Sequence, residues 1–351
     1  MRRLVPVAAA TIALLALATP ALACGGLIGP NGAVNLLRTT TFAGYHDGVE
    51  HYVTAFAFAG GEGEFGSLVP LPDVPTSVER GGDWTLQRLV LETEPQLFLA
   101  EDALLAAPAG RAEVLMEVRI DALDITILRG GGPEVGAWAT EHGFRLPPDA
   151  PEVLDFYANR SPIFMTAVFD ADAAAARGQA VGDGTPVHLT IPTDDPWVPL
   201  RILALGKADA EVVEADVYLL TDHRPALLPD PGAVFVTDGM ALLHSARAND
   251  LLLDDLRSDK GMEWVPEHAW LTKVRVNGSA ADIQFDLAIN AHGGAPSAVD
   301  AGFAPYGPAP VPWQIPTAWV VLTITAGLPV LGMWIASSVS RGRGTPPLAG
   351  A

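Results

Sequence analysis

A chain of 351 residues carries 41 acidic against 21 basic side chains, a formal net charge of −20, and one cysteine, Cys24. That lone thiol excludes an internal disulfide framework and any zinc site built from several thiolates, and so acidic a body repels phosphate backbones, which excludes nucleic acid as a partner. With 49% hydrophobic residues, 35 Gly and 30 Pro, the composition is that of a turn-rich globular chain able to bury a core.

Met1-Arg2-Arg3 precedes an apolar run from Leu4 to Leu17 and a small-x-small pair, Ala21 and Ala23. This is the layout of a signal peptide over 1–23, and the run is too short to span a bilayer. Cleavage after Ala23 makes Cys24 the first mature residue and a lipidation candidate, although Ala21 stands where a lipobox carries Leu; ordinary cleavage is the default.

The stretch from Leu36 to Ala59 reads as two strands joined at Asp47-Gly48, since Asp-Gly suits the positive φ of a two-residue hairpin turn. Tyr52, Thr54, Phe56 and Phe58 share one face and Val53, Ala55 and Ala57 the other, so this strand is expected to be covered on both sides. Helices are expected over Trp84 to Thr93 with Asp83 as N-cap, from Pro133 to Gly143, from Pro151 past Tyr157, and from Met240 to Leu256. Strands are expected over Ala112–Ile120, Ile163–Phe169, Val187–Ile191, Leu200–Leu205, Val212–Leu220, Leu271–Val276 and Asp282–Ile289. Without strict βαβ alternation, the class is α+β, a mostly antiparallel β body with a few packed helices.

The proline-rich 291–316 segment reads as a semi-rigid stalk beyond an extracytoplasmic body over 24–290. Residues 317–339 carry no charge and suffice for a transmembrane helix, with Trp313, Trp319 and Trp334 at interface depths and Arg341 and Arg343 just beyond. The positive-inside asymmetry puts the short 340–351 tail in the cytoplasm and the body outside, a single-pass cell-membrane protein held by its C-terminal helix.

Three strings, GEFGSLVPLPDVPTSVERGGDWTLQRL from Gly63, HGFRLPPDAPEVLDFYANRSPIFMTAVFDA from His142 and DDPWVPLRILALG from Asp194, together with Ala23-Cys24-Gly25-Gly26, resemble a secreted bacterial family known only as a domain of unknown function. The resemblance spans roughly residues 22 to 290. It implies export and a shared architecture, and it brings no catalytic residues.

Among candidate sites, His46, Glu50 and His51 form the best metal-like cluster. With Asp47-Gly48 as the turn, His46 and His51 fall diagonally on one face and Glu50 on the other, so two imidazoles could serve Zn²⁺ if another ligand arrives from elsewhere. The same residues suit an ordinary polar hairpin tip. Asp250, Asp254, Asp255 and Asp259 recur at helical spacing and are Ca²⁺ candidates or a solvated acidic face, and the acidic turns Asp183-Gly184 and Thr193-Asp194-Asp195 share that ambiguity. Gly61 to Gly66 matches a dinucleotide-loop spacing but leads into a strand, and Glu62 and Glu64 would repel a pyrophosphate. No Gly-x-Ser-x-Gly elbow or His-Glu-x-x-His helix occurs. The expected function is therefore a binding or structural module of the cell envelope, whose partner is an envelope protein or cell-wall component. The alternative is a metal-dependent envelope hydrolase using the His46/His51 hairpin.

Overall fold

Strand periodicity governs most of the chain. In a computed structural model that describes residues 26–29, 32–33, 39–56, 66–93, 113–169, 185–231, 239–292 and 294–297, the strands begin with β1 (Gly26–Gly29), β2 (Gly32–Ala33), β3 (Thr39–His46), β4 (Val49–Phe56), β5 (Gly66–Leu71), β6 (Ser77–Arg80), β7 (Glu113–Ile120), β8 (Leu123–Arg129) and β9 (Ile163–Phe169). They continue with β10 (Thr185–Pro192), β11 (Trp197–Val198), β12 (Val212–Thr221), β13 (Ala226–Leu228), β14 (Met240–Arg247), β15 (Trp270–Ser279) and β16 (Leu287–Asn290). The helices among the described residues are α1 (Thr85–Thr93), α2 (Gly132–Glu141), α3 (Ala150–Ala158) and α4 (Asp250–Ser258).

A seven-stranded sheet runs β14-β15-β12-β3-β4-β10-β6, a six-stranded sheet β2-β1-β5-β9-β8-β7, and a three-stranded sheet β11-β16-β13. Among the described residues every pairing is antiparallel except β3 with β12, so the α+β expectation holds. The predicted signal segment 1–23, Cys24, residues 61–65, Asp183-Gly184, most of the 291–316 stalk, the 317–339 span and the 340–351 tail lie outside the described residues. Among the described residues, no helix is long and apolar enough to cross a membrane.

Alternation along the seven-stranded sheet divides the interior in two. Val213, Ala215, Val217 and Leu219 of β12, with Tyr52 of β4 and Leu189 and Ile191 of β10, join a core shared with the six-stranded sheet, α2 and α3. Their neighbours Tyr218, Leu220 and Val53 face the other way, into a second core with Leu89 of α1 and Leu252, Leu253 and Leu256 of α4. The expected double coverage of β4 follows from this: Tyr52 and Val53 are both buried on opposite faces. The β3–β4 turn has Asp47 at φ 49° and Gly48 at φ 78°, as a two-residue hairpin with both central φ positive requires.

Several boundaries differ from expectation. The segment from Met240 is not helical at its start: β14 occupies Met240–Arg247 and helix α4 begins only at Asp250, where the Asn249 side chain accepts the Leu252 N–H at 2.8 Å. Leucines at mixed spacing fit both periods, and the ladder with β15 decides for strand. Leu200–Leu205 is a short 3₁₀ turn over Arg201–Ala204, and of the strand expected over Asp282–Ile289 only the last three residues lie in a sheet, in β16, which runs on to Asn290. Strand β8 has no counterpart among the predicted elements; it follows a two-residue turn in which Asp121 takes φ 54°.

The cap of α1 also differs. Asp83 turns to Arg80, and the helix N-terminus is held by Asp259, at the end of α4. Its carboxylate accepts the N–H groups of Asp83 (3.0 Å), Trp84 (3.1 Å) and Thr85 (2.8 Å) and the Thr85 hydroxyl (2.7 Å). A Cβ on Gly82 would stand 2.0 Å from an Asp259 oxygen, so glycine there makes room for the carboxylate. Burial works to raise the Asp259 pKa, but the bonds from Thr85, Trp84, Asp83 and Lys260 outweigh it and hold the group below the usual range. Asp259→Ala is therefore expected to lower unfolding stability by about 2 kcal/mol, and Asp83→Ala by only about 0.5 kcal/mol, measured by urea denaturation of the two variants; equal losses would restore Asp83 as the cap.

Candidate functional site

The β3–β4 hairpin carries the candidate residues to two different environments. Register pairs His46 with Val49 and Gly44 with His51, so the two imidazoles share a sheet face and Glu50 lies on the other.

His46 sits at the tip. The parallel pairing of Tyr45 with Thr221 brings the next residue, Asp222, beside it, and His46 Nδ1 lies 2.7 Å from Asp222 Oδ1 with Nε2 3.5 Å from Asp47 Oδ2. His46, Asp47 and Asp222 present ligand atoms close enough together to hold a divalent ion. The same end of the molecule holds Tyr45, whose hydroxyl donates to the Thr193 carbonyl at 3.0 Å and accepts from His292 Nε2 at 3.1 Å. Next to this pair is a cavity of about 160 Å³ lined by Asp194, Asp195, Pro196, Ile289, Asn290 and His292. Burial and the charge of Asp194 raise the Tyr45 pKa, which keeps the phenol protonated and able to donate.

His51 lies further in. Its Nδ1 is 3.0 Å from Nε2 of His188 on β10, and its ring stacks on Trp264 at 3.8 Å with planes 2° apart. Gly44, directly across the ladder, makes the stack fit: a Cβ there would meet the indole at 2.0 Å. Burial lowers the pKa of His51 to about 3, helped by His188, and burial lowers that of His188 to about 4 against the opposing charge of Glu263. Both rings are neutral at pH 7, and one donates to the other.

Glu50 is fully buried on the inter-sheet face, and neither carboxyl oxygen has a hydrogen-bond partner of good geometry. Burial pushes its pKa up to about 8, while the Trp197 amide and Arg160 pull weakly the other way. Asp286, equally buried, has the opposite surroundings: its Oδ1 accepts from the Tyr157 hydroxyl (2.7 Å) and the N–H groups of Leu200 (2.9 Å) and Arg201 (3.2 Å), and its Oδ2 meets Arg160 at 3.0 Å. Burial raises its pKa, and Arg160 with these donors opposes the rise.

Thus His46, Glu50 and His51 do not converge. His46 joins Asp47 and Asp222, His51 joins His188, and Glu50 stands alone in the core. Sequence reasoning leaves out His188, although it points away from the core pattern Val187, Leu189 and Ile191; Asp222 stands in the sequence only as a neighbour of His223. Three of the four helical carboxylates are engaged separately: Asp259 caps α1, Asp255 binds Arg88 at 2.8 Å and Asp254 pairs with Arg257.

A family model described as "Uncharacterized protein conserved in bacteria (DUF2330)" matches residues 18–289. No curated protein matches the chain. Among solved structures, a mutated baculovirus P35 after caspase cleavage is 9% identical with a TM-score of 0.38, the match covering 72% of this chain and 98% of that one. The crystal structure of baculovirus P35 itself is 9% identical with a TM-score of 0.37, covering 72% and 96%. At these scores the likeness carries no statement about fold or function.

The state of Glu50 has a measurable consequence. Its folded pKa of about 8 lies above the unfolded value of 4.5, so its contribution is fully present below pH 4.5 and is lost as pH rises through 8. Glu50→Gln is expected to flatten that part of the pH–stability curve and to exceed the parent by on the order of 3 kcal/mol at pH 9, in chemical denaturation between pH 5 and pH 9; parallel curves would show that Glu50 is ionised or partnered.

Proposed function

Because the chain belongs to the bacterial family DUF2330, described as an uncharacterized protein conserved in bacteria, its role has to be argued from its own residues, and we propose that it is an exported, single-pass membrane-anchored module of the cell envelope that binds an envelope protein or cell-wall component. One observation carries this reading: a basic, apolar and then small-residue start over 1–23 is matched at the other end by the charge-free 317–339 segment followed by Arg341 and Arg343. A removable leader and a stop-transfer helix together leave the body outside the membrane and the tail inside.

The body offers a binding surface suited to that placement. His46, Asp47 and Asp222 at the hairpin tip and Asp194 and Asp195 at the neighbouring cavity present an acid-rich end. Such an end favours a basic protein face or a cell-wall component bearing amino groups, and attracts it over more than contact distance at low salt. The interior polar groups support a structural reading of the rest, since Asp286 and Asp259 are occupied by backbone and side-chain donors.

Topology is the first test. In cells making the full chain with a C-terminal epitope tag, the protein is expected in the membrane fraction, with the body digested by protease added to spheroplasts and the tag protected until lysis. Mass spectrometry of the mature protein is expected to show a start at Cys24. A soluble product, or a tag digested from outside, overturns the reading.

A further inference from the structure

We propose that the cavity beside Tyr45 and His292 takes the side-chain ammonium of a lysine presented by a basic protein face, with Asp194 and Asp195 as its counter-charges. This deepens the envelope-binding reading and rests on it for the class of partner.

Size and lining select the ligand. The cavity holds about 160 Å³. At roughly 30 Å³ for each water-sized group it has room for about five, the four carbons and one nitrogen of a lysine side chain beyond Cα. A guanidinium group, broader and with three nitrogens, fills that space less well. Pro196 and Ile289 line the cavity and are themselves buried, so they offer apolar surface to the methylene stem. Asp194 and Asp195 line it too and are exposed, and among the described residues neither carboxylate accepts a hydrogen bond or pairs with a cation.

His292, also in the lining, adds an acceptor whose orientation is set by its neighbours. Because the Tyr45 hydroxyl gives its proton to the Thr193 carbonyl, it receives one from His292 Nε2. A neutral imidazole that donates from Nε2 keeps a lone pair on Nδ1. Asn290 Oδ1 accepts the His292 N–H at 3.0 Å, which fixes the segment carrying this ring against the end of β16. Two carboxylates and one ring nitrogen match an ammonium group, which has three donors and no acceptor. The negative surface continues past the cavity to Asp47 and Asp222 at the hairpin tip. A protein face bearing several lysines therefore gains more from this end than a single amine on a cell-wall peptide.

The test uses the full chain in an uncharged detergent at pH 7 and about 0.15 M salt, which screens the long-range pull of the acidic body. The probe is acetyl-Gly-Lys-Gly-amide, followed by saturation-transfer NMR, and saturable one-to-one binding is expected. Affinity is expected to fall about tenfold or more in the Asp194→Asn, Asp195→Asn double variant, where charge-assisted hydrogen bonds are lost; both positions are exposed, so the core is untouched. A peptide with diaminopropionate in place of lysine keeps the charge on a stem too short for the apolar wall, and is expected to bind about tenfold more weakly. Glu117→Gln, at an exposed position of β7, is expected to bind as the parent does. No saturable binding by the wild-type chain, unaltered affinity in the double variant, equal affinity for the two peptides, or loss in Glu117→Gln overturns the proposal. Tighter binding of a cell-wall stem peptide with a free diamino-acid amine also overturns it, by assigning the cavity to the wall. Binding is read on purified protein, so its failure is distinct from a failure of the topology test.

Discussion

A single buried carboxylate, Asp286, ties the end of α3 to the 3₁₀ turn and the residue before it. Asp286 binds the end of α3 through Tyr157 and Arg160, and the 3₁₀ turn through the amides of Leu200 and Arg201, while Tyr157 accepts the Ile202 N–H at 2.8 Å. Arg160 lies 4.3 Å over the Trp197 ring, and Tyr157 stacks on the same indole. A buried charge of this kind is tolerated because each of its oxygens is met by donors, and removing them would leave several kcal/mol of uncompensated desolvation. Two of the three strings that carry the family resemblance supply these partners: Tyr157 and Arg160 in one, Trp197 to Ile202 in the other. Their distinctive residues thus have a shared physical task, to complete the shell of an aspartate that lies outside both.

Glu50 shows how much the shell decides. It is as deeply buried as Asp286 and feels the same Arg160, yet with little beyond the Trp197 amide to oppose burial its pKa is pushed up to about 8. Burial raises both carboxylates, and what opposes it differs: Asp286 is met by N–H and O–H donors and by Arg160, whereas neither Glu50 oxygen has a hydrogen-bond partner of good geometry. The two histidines on the opposite sheet face are governed by the same rule with the sign reversed: desolvation keeps them neutral, which is the state in which imidazole binds metals.

Local signals in the sequence were enough for the hairpin, whose Asp47-Gly48 turn and alternating apolar residues determine register without help from elsewhere. They sufficed for α1, α2 and α3 too, where the apolar spacing of Val135, Trp138 and Ala139, or of Val153, Leu154 and Tyr157, marks the buried stripe. They failed where a distant partner decides. Leucines from Met240 onward are compatible with helix until β15 imposes a ladder, and α1 is capped by a residue at the far end of α4. The candidate site divides along the same line: the shared face of His46 and His51 is a matter of register within one hairpin, but His188, Asp222 and Trp264 reach it from other elements, and no spacing announces that they do.

The one parallel pairing among the described residues, Thr39 to Tyr45 of β3 against Ala215 to Thr221 of β12, is a seam between two halves of the seven-stranded sheet. On one side stand β3, β4, β10 and β6, all from the earlier part of the chain; on the other stand β12, β15 and β14, all from the later part. A chain made from its N-terminus completes the first half while the second does not yet exist, so the outer edge of β3 stands open as a row of unsatisfied backbone donors and acceptors. Closing it requires a contact between residues far apart in sequence, which is slow. Until then that edge is the place where another copy's β12 can dock, and where a folding helper would have to stand guard.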